Sequence, residues 1–455
     1  MRAFHRRRSL TLTACLVLVL VLLTAVTPGV VPRTLAARRA ASHVTINWWE
    51  LWSLPGIKTL VKDFERSHPD ITVNVTVYPN VGDDSQGKLL AAVAGHRPPD
   101  LVLAYDDSLA GWAGKGEIAP IDAYVNQVGI KSADYVSPAW QSAQWQGHVY
   151  GIPVDWDPDA MLWYNKSVFK AAGLDPNKPP ATWAQFTADA AKIDLIQGGK
   201  IKRVGIAPWD GWIFNPVEFG HLFGMDFQDG ASKTVKLDAP AMRKELAWEQ
   251  SVATKFGGQA KINAFISPPN LTTGMAASDL LAGRVGMQSI GDWLIATGET
   301  DLGVAGFAKV IGVTPMPVPP GGQNYLSHSG WAFMVPHGAP NAAAAMQFVQ
   351  WLSQDANVVK LTGTLGWLPA RVSARSAKIY QDPNWQRVLA VNREAPSEGF
   401  WLRPSPILTQ YYQALLNAES AVVNLKQTPT QALSTAQKVA QQALQDALSS
   451  GAYGG

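Results

Sequence analysis

Between His43 and Ala104 the spacing of apolar residues switches repeatedly between a period of two and a helical period, and few folds accommodate that alternation. His43 to Trp49 reads as a short strand ending in aromatics. Leu54 to Ser67 carries Ile57, Leu60, Val61 and Phe64 as a helical stripe, and Pro69 stops it. Ile71 to Tyr78 then alternates strictly. Ile71, Val73, Val75 and Val77 lie on one side and Thr72, Asn74 and Thr76 on the other, the pattern of a half-buried strand. A second helix is predicted over Gln86 to Ala94, and Leu101 to Ala104, after Pro98-Pro99, reads as a buried strand. Strand, helix, strand, helix, strand implies parallel pairing through helical crossovers, so the predicted class is α/β.

The rest of the chain continues in the same manner with more helix. Helical segments are predicted over Lys166 to Ala172, Trp183 to Ile196, Pro240 to Phe256 and Asn270 to Ala282. Strands are predicted over Val310 to Pro317 and Gly330 to Val335, with an amphipathic helix over Asn341 to Ser353. The tail from Pro406 to Leu448 reads as helix with its glutamines facing solvent. The chain has 455 residues. That is more than one hydrophobic core usually supports, so two domains are expected.

The N-terminus is built differently. Arg2, Arg6, Arg7 and Arg8 precede an apolar run from Leu10 to Val26, then Pro28, Gly29 and Pro32, then small residues at Ala36, Ala37, Ala40 and Ala41. These are the parts of a secretory signal, and the run is also close to the length of a membrane anchor. Leu12-Thr13-Ala14-Cys15 resembles a lipoprotein processing box, but Cys15 precedes most of the apolar run and reads as a cysteine inside a leader. Residues 1–41 hold seven arginines and no acid, so of 38 basic residues 31 remain against 35 acidic ones. The balance after the leader is negative, and charge makes no case for nucleic-acid binding. Cys15 is the only cysteine, so without the leader the chain has no disulfide.

Eighteen tryptophans exceed what packing needs, and many stand beside Asp, Gly and Pro in loop-like segments such as Ala207-Pro208-Trp209-Asp210-Gly211-Trp212. Indole is flat and apolar with one polar handle, suited to gripping an amphipathic ligand. No phosphate-cradling Gly-Lys-Ser/Thr loop and no His-Glu-x-x-His pattern occurs. The eight histidines are scattered. His328 between Ser327 and Ser329 lacks a Gly-x-Ser-x-Gly elbow and reads as a solvated loop. No cofactor and no metal are expected.

Several local patterns, in order, carry a family resemblance. They are Phe64-Glu65-Arg66-Ser67-His68-Pro69-Asp70-Ile71, Ala94-Gly95-His96-Arg97-Pro98-Pro99-Asp100-Leu101 and Tyr150-Gly151-Ile152-Pro153. Leu162-Trp163-Tyr164-Asn165-Lys166, Phe169-Lys170-Ala171-Ala172-Gly173-Leu174 and Pro179-Pro180-Ala181-Thr182-Trp183 follow. Gly283-Arg284-Val285-Gly286-Met287, Gly291-Asp292-Trp293 and Gly366-Trp367-Leu368-Pro369-Ala370-Arg371 complete the series. Together they resemble the extracellular solute-binding proteins of ABC importers, in the branch of maltose- and glycerol-phosphate-binding proteins.

That resemblance implies a two-lobed, type II periplasmic-binding-protein-like α/β fold. Crossing hinge segments join the lobes, and a ligand cleft lies between them. It places lobe 1 at 42–153 plus 313–372 and lobe 2 at 154–312 plus 373–450, after a signal peptide or anchor at 1–41. Ligand capture would proceed by hinge closure, and loops at the carboxyl ends of strands would line the cleft. The implied function is capture of a mono- or oligosaccharide, without catalysis, for delivery to ABC permease subunits. The chain is expected to be exported and monomeric, with no nucleic-acid partner. A secreted glycoside hydrolase and a surface sugar sensor without a transport role remain alternatives.

A sugar offers hydroxyls at its edge and apolar faces, which calls for flat aromatics beside short polar or charged side chains. That combination follows predicted strands at Glu50 and Trp52, at Asp106, at Trp156 and Asp157, and at Trp209, Asp210 and Trp212. One of Trp48 and Trp49 points inward by alternation. Asp106 is expected to meet ligand and Asp107 to cap the next helix, since Asp is a favoured N-cap. The resemblance adds Asp292 with Trp293, and Trp367 with Arg371; Trp331 and Trp401 are further candidates.

Overall fold

The computed structural model describes residues 43–50, 55–78, 83–209, 215–227, 235–266, 278–324, 326–394 and 405–451. The early alternation forms a five-stranded sheet in the order Ile71–Val77, Val44–Glu50, Leu101–Tyr105, Trp331–Met334, Gly151–Pro153. The first three pair in parallel, while Trp331–Met334 runs antiparallel to both of its neighbours. Alternation sends Ile46, Trp48 and Glu50 inward. Trp48 packs edge-on against Phe333 at 5.9 Å and Phe348 at 5.4 Å. The crossover helix Pro55–Ser67 buries Ile57, Leu60, Val61 and Phe64, the stripe legible in the sequence.

A second five-stranded sheet has the order Ile311–Pro315, Met161–Asn165, Val285–Ile290, Lys200–Ile206, Leu195–Gln197. Its central strands are buried on both faces. The Trp163 indole donates to the Ile290 carbonyl at 2.9 Å, so even this buried ring has its polar handle satisfied. Asn165 ends its strand and starts the helix Lys166–Ala171 by accepting from the Ser167 and Val168 amides. Thr182 and Gln185 form a capping box on Trp183–Ile193.

Two expectations need correction. The helix predicted to reach Ile196 ends at Ile193, and Leu195–Gln197 is an edge strand. Gly198 and Gly199, both at positive φ, turn it into Lys200–Ile206, the conformation a two-residue hairpin demands. The tail is two packed helices, Leu408–Val423 and Pro429–Ser449, and not all its glutamines face solvent. The Gln437 side chain accepts from the Leu237 amide at 2.6 Å and donates to the Val235 carbonyl at 2.5 Å; Gln441 accepts from the Val235 amide at 2.9 Å. These amides staple an otherwise irregular segment to the helix. Of the helix predicted over Asn270 to Ala282, residues 270–277 lie outside the described residues, and Ser278–Leu281 is helical.

The chain passes between the sheets three times. Pro153 to Met161 leaves the first sheet, Pro315 to Trp331 returns, and the stretch from Gly366 to Arg371 leads into the helical segments beyond. Asp157–Pro158 and His328–Ser329 pair as a two-stranded antiparallel ribbon, and Asp155 bridges to Pro369. The molecule is thus two-lobed, with the crossings bundled at one place.

Candidate functional site

Both sheets aim the ends of parallel strands at the bundled crossings, where open α/β sheets hold ligands. From the first sheet, Leu101–Tyr105 ends in a short 3-10 turn, Asp106–Ser108, followed by the helix Leu109–Gly114. The Asp106 amide donates to the Gly330 carbonyl at 3.0 Å, tying this turn to the returning crossing. The Asp107 carboxylate accepts from its neighbour Ser108 at 2.9 Å, and neither the turn nor the helix has a side-chain cap, so the capping role expected of Asp107 is not filled.

An aromatic wall stands beside this turn. Trp331 lies parallel to Trp367, with centroids 5.8 Å apart and planes 5° from coplanar. Tyr105 meets Trp331 edge-on at 5.1 Å. Trp331 is half-buried, whereas Trp367 is 1% exposed and turns its ring to Trp331 instead of solvent. Asp106 and Asp107 are likewise half-buried. Burial, then the Asp107 charge, pushes the Asp106 carboxyl up to about 7, against a hydroxyl contact from Ser142. Burial pushes Asp107 up to about 6.

Below the wall the crossings hold a knot of charge. Asp155 accepts from the Trp331 amide at 2.9 Å and Asp157 from the Leu368 amide at 2.7 Å, so each carboxylate clasps a second crossing. Asp155, Asp157 and Asp292 lie against one another and share one guanidinium, Arg375. Arg375 also donates to the carbonyls of Pro369 at 2.7 Å and Trp156 at 3.3 Å. Burial raises all three carboxyls, Asp157 to about 7; the charge of Asp157 raises Asp155 and Asp292 further. Gly330 fits here because a Cβ would lie 2.3 Å from the Asp155 carbonyl oxygen. Gly330→Ala is expected to lose about 1–3 kcal/mol in a denaturant melt; a loss below about 0.5 kcal/mol would show that the crossings yield freely.

The remaining candidates are spread more widely. Glu50 is buried beside Tyr78, whose amide donates to the Glu50 carbonyl at 3.0 Å. Trp156 is buried and stacked on His328 at 6.0 Å. Trp293 is buried in the same apolar cluster as Trp156 and Trp367. Trp209 belongs to a different cluster with Phe256 and Ile262, and its indole donates to Asn263 at 3.1 Å. Arg371 pairs with Asp355 at 2.6 Å and Asp134 at 3.3 Å. Trp52, Asp210, Trp212 and Trp401 lie outside the described residues.

The reading of His328 as a solvated loop is corrected: it is a buried strand residue bonded to Asn392 at 2.7 Å, and burial lowers its pKa to about 4. Its neighbours are buried as well. Ser327 donates to Glu218 at 2.5 Å, and Ser329 donates to Asp159. Tyr105, Asp159, Glu218, Arg375 and Tyr412 escaped the sequence reading. Asp159 was within reach, because Asp155, Asp157 and Asp159 repeat at the strand period. Glu218, Arg375 and Tyr412 sit on separate segments that only packing brings here.

A model of the bacterial extracellular solute-binding proteins matches residues 53–359. The sn-glycerol-3-phosphate-binding periplasmic protein of Salmonella typhimurium is 26% identical over 225 residues, 46% of this chain and 49% of that protein. Its counterpart from Pectobacterium atrosepticum is 27% identical over 161 residues, 34% of this chain and 35% of that protein. The chain thus matches a third to a half of the length of these curated relatives. The structure of CpMnBP1 with mannobiose bound superposes with a TM-score of 0.78 at 28% identity, covering 88% of this chain and 100% of that one. Maltose-bound MalE3 of T. maritima superposes with a TM-score of 0.72 at 18% identity, covering 88% and 100% of the two chains. This second likeness concerns the fold.

Proposed function

The chain belongs to the bacterial extracellular solute-binding proteins, and from that premise we propose that it captures a carbohydrate outside the cytoplasm and delivers it to the permease subunits of an ABC importer. The observation that carries this reading is the half-exposed Trp331 ring, backed by Trp367 and flanked by Tyr105, next to the Asp106–Asp107 turn. An apolar ring face stacks on indole while its hydroxyls donate to carboxylates, and charged acceptors make the stronger bonds. Trp331 and Asp106 are the proposed contacts among the described residues. Trp52, Asp210, Trp212 and Trp401 are proposed as further ligand contacts.

Between the sugar of the mannobiose-bound relative and the phosphate ester of the curated ones, the electrostatics favour the sugar. Arg375, the cation at the crossings, is already shared by three carboxyls. The lobes proposed to close on the ligand are 42–153 plus 313–372 and 154–312 plus 373–450, with the clasped crossings as hinge. Closure follows only from tighter binding to the closed form. Residues 1–41 are proposed as the export signal or anchor. Among the described residues no helix is long and apolar enough to cross a membrane.

The proposed role is binding without hydrolysis. Asp155 and Asp157 are each bound to a backbone amide of another crossing, Trp331 and Leu368, whereas a retaining glycosidase sets two carboxyls about 5 Å apart on either side of the bond it cleaves. Mannobiose and maltose are the first ligands to try. A bound sugar is expected to shift tryptophan fluorescence and, at about a hundred times its dissociation constant, to stabilise the fold by about 2.7 kcal/mol. Reducing-end assays on the same mixtures should stay flat. Failure of every mono- and oligosaccharide tested to move either signal would defeat the sugar reading, and release of cleaved product would make the protein a hydrolase.

A further inference from the structure

The first crossing carries one residue more than the strand it pairs with. Pro153 lies opposite Ala332, and Asp157 lies opposite Ser329. Three residues, Val154, Asp155 and Trp156, therefore face only two, Gly330 and Trp331, so the pairing shifts by one as in a β-bulge. The hydrogen bonds record the shift. The Val154 amide donates to the Trp331 carbonyl at 2.8 Å, half of the exchange that an unbroken antiparallel pair makes. The other half is replaced. The Val154 carbonyl has turned to the third crossing and accepts from the Ala370 amide at 3.0 Å. The Trp331 amide donates instead to the Asp155 carboxyl at 2.9 Å.

The strand on the other side of Trp331 supplies no substitute. Tyr105 lies opposite Trp331 there, and the bond is made one residue along, from the Asp106 amide to the Gly330 carbonyl. Asp155 is 1% exposed, so bulk water does not compete for the Trp331 amide either. A bulge re-aims the side chains beside it, and the one beside this bulge is the indole parallel to Trp367 and edge-on to Tyr105.

We infer that Asp155 is a positioning residue. Its carboxyl stands in for the ladder carbonyl that the bulge turns away, and so holds the Trp331 backbone at the angle that lays the indole parallel to Trp367. Asp155 acts on a sugar only through Trp331, a role that rests on the reading of Trp331 as a sugar contact and gives that contact its support.

Calorimetry on the full-length chain, with the best sugar found, tests this through a double-mutant cycle. Asp155→Ala is expected to weaken binding about tenfold, and to weaken it no further where Trp331→Ala is already present. A change that only loosened the crossings would add to the loss of Trp331 instead of vanishing with it. Asp155→Asn is expected to restore affinity to within about twofold of the parent. Burial holds the Asp155 carboxyl well above the usual carboxylate range, so a neutral amide is the nearer copy, and its Oδ1 still accepts. In protein labelled with fluorotryptophan, the Trp331 fluorine signal, identified by its loss in Trp331→Phe, should move in Asp155→Ala and return in Asp155→Asn with no ligand present. Where Asp155→Ala does not fold, Asp155→Leu makes the same comparison, because it fills the space without an acceptor.

An equal loss from Asp155→Ala with and without Trp331 would overturn the positioning role and leave the sugar contact standing. So would full affinity of Asp155→Ala beside weak binding by Trp331→Ala. Unchanged affinity in Trp331→Ala would remove the contact and the positioning role together. Failure of both Asp155→Ala and Asp155→Leu to fold would make Asp155 a residue of folding and overturn the assignment.

Discussion

A Glu249→Gln chain is expected to be roughly 3–5 kcal/mol more stable than the parent at pH 8 and to approach it near pH 4. Glu245 and Glu249 lie one turn apart on the helix Pro240–Phe256, and Glu419 faces them from Leu408–Val423; all three are buried. Among the described residues no donor reaches either carboxyl oxygen of Glu245 or Glu249, so the trio is satisfied only by protons held between its members. Burial first, then the charge of the neighbouring glutamates, pushes Glu245 and Glu249 well up; burial pushes Glu419 up to about 8.

The direction of the pH effect follows from where the protons are. In the unfolded chain a glutamate ionises near pH 4.3. Between there and the raised folded values the native state holds protons that the unfolded state has released. Stability is therefore greatest at low pH and falls as pH rises through that window. Glutamine keeps the shape and carries no titrating group. Urea melts at about pH 4, 6 and 8 would show the parent losing stability across the series and Glu249→Gln losing much less. Parallel pH profiles for the two chains would mean that the trio is solvated and the cluster carries no such strain.

Trp367→Ala and Trp331→Ala are expected to fail in opposite ways, although the two rings stack on each other. Trp367 is sealed in the core. Its amide donates to the Thr362 carbonyl at 2.9 Å, and its carbonyl accepts from the Tyr380 hydroxyl at 3.1 Å. Truncating it leaves a cavity of indole size, a loss of about 3–5 kcal/mol. Trp331 is only half-buried, so Trp331→Ala should cost less stability and lower sugar affinity about tenfold or more. Chemical denaturation and calorimetry on both variants, with the best sugar found, separate the two roles. A Trp331→Ala chain that binds that sugar unchanged would take the ring out of the site.

The candidate residues were legible as types and much less so as roles. Asp157 was marked as an acid after a strand and Asp292 through the family resemblance, but their carboxyls face each other and Arg375 within the crossings. Arg371 was paired with Trp367 through the family resemblance; its guanidinium lies with Asp134 and Asp355. Trp209 shares the carboxyl-end position of the other candidates yet packs with Phe256 and Ile262. His328 read as a loop residue because no Gly-x-Ser-x-Gly elbow surrounds it, and pairing with the Asp157–Pro158 strand buried it. Each difference arose where a side chain's partner stands on another segment of the chain, 54 residues away for Trp209 and Asn263 and 237 for Arg371 and Asp134.

Local pattern alone determined the class of this protein. A period that alternates between two and 3.6 permits parallel strands crossed by helices, and Ile57, Leu60, Val61 and Phe64 could bury only one way. Family order, read from short motifs, supplied the two-lobed plan. Tertiary structure alone decided which carboxyls clasp the crossings, which tryptophan backs another and which acids gather in the interior. Those outcomes depend on desolvation and on contacts between distant segments, and neither is written in the spacing of residues along a chain.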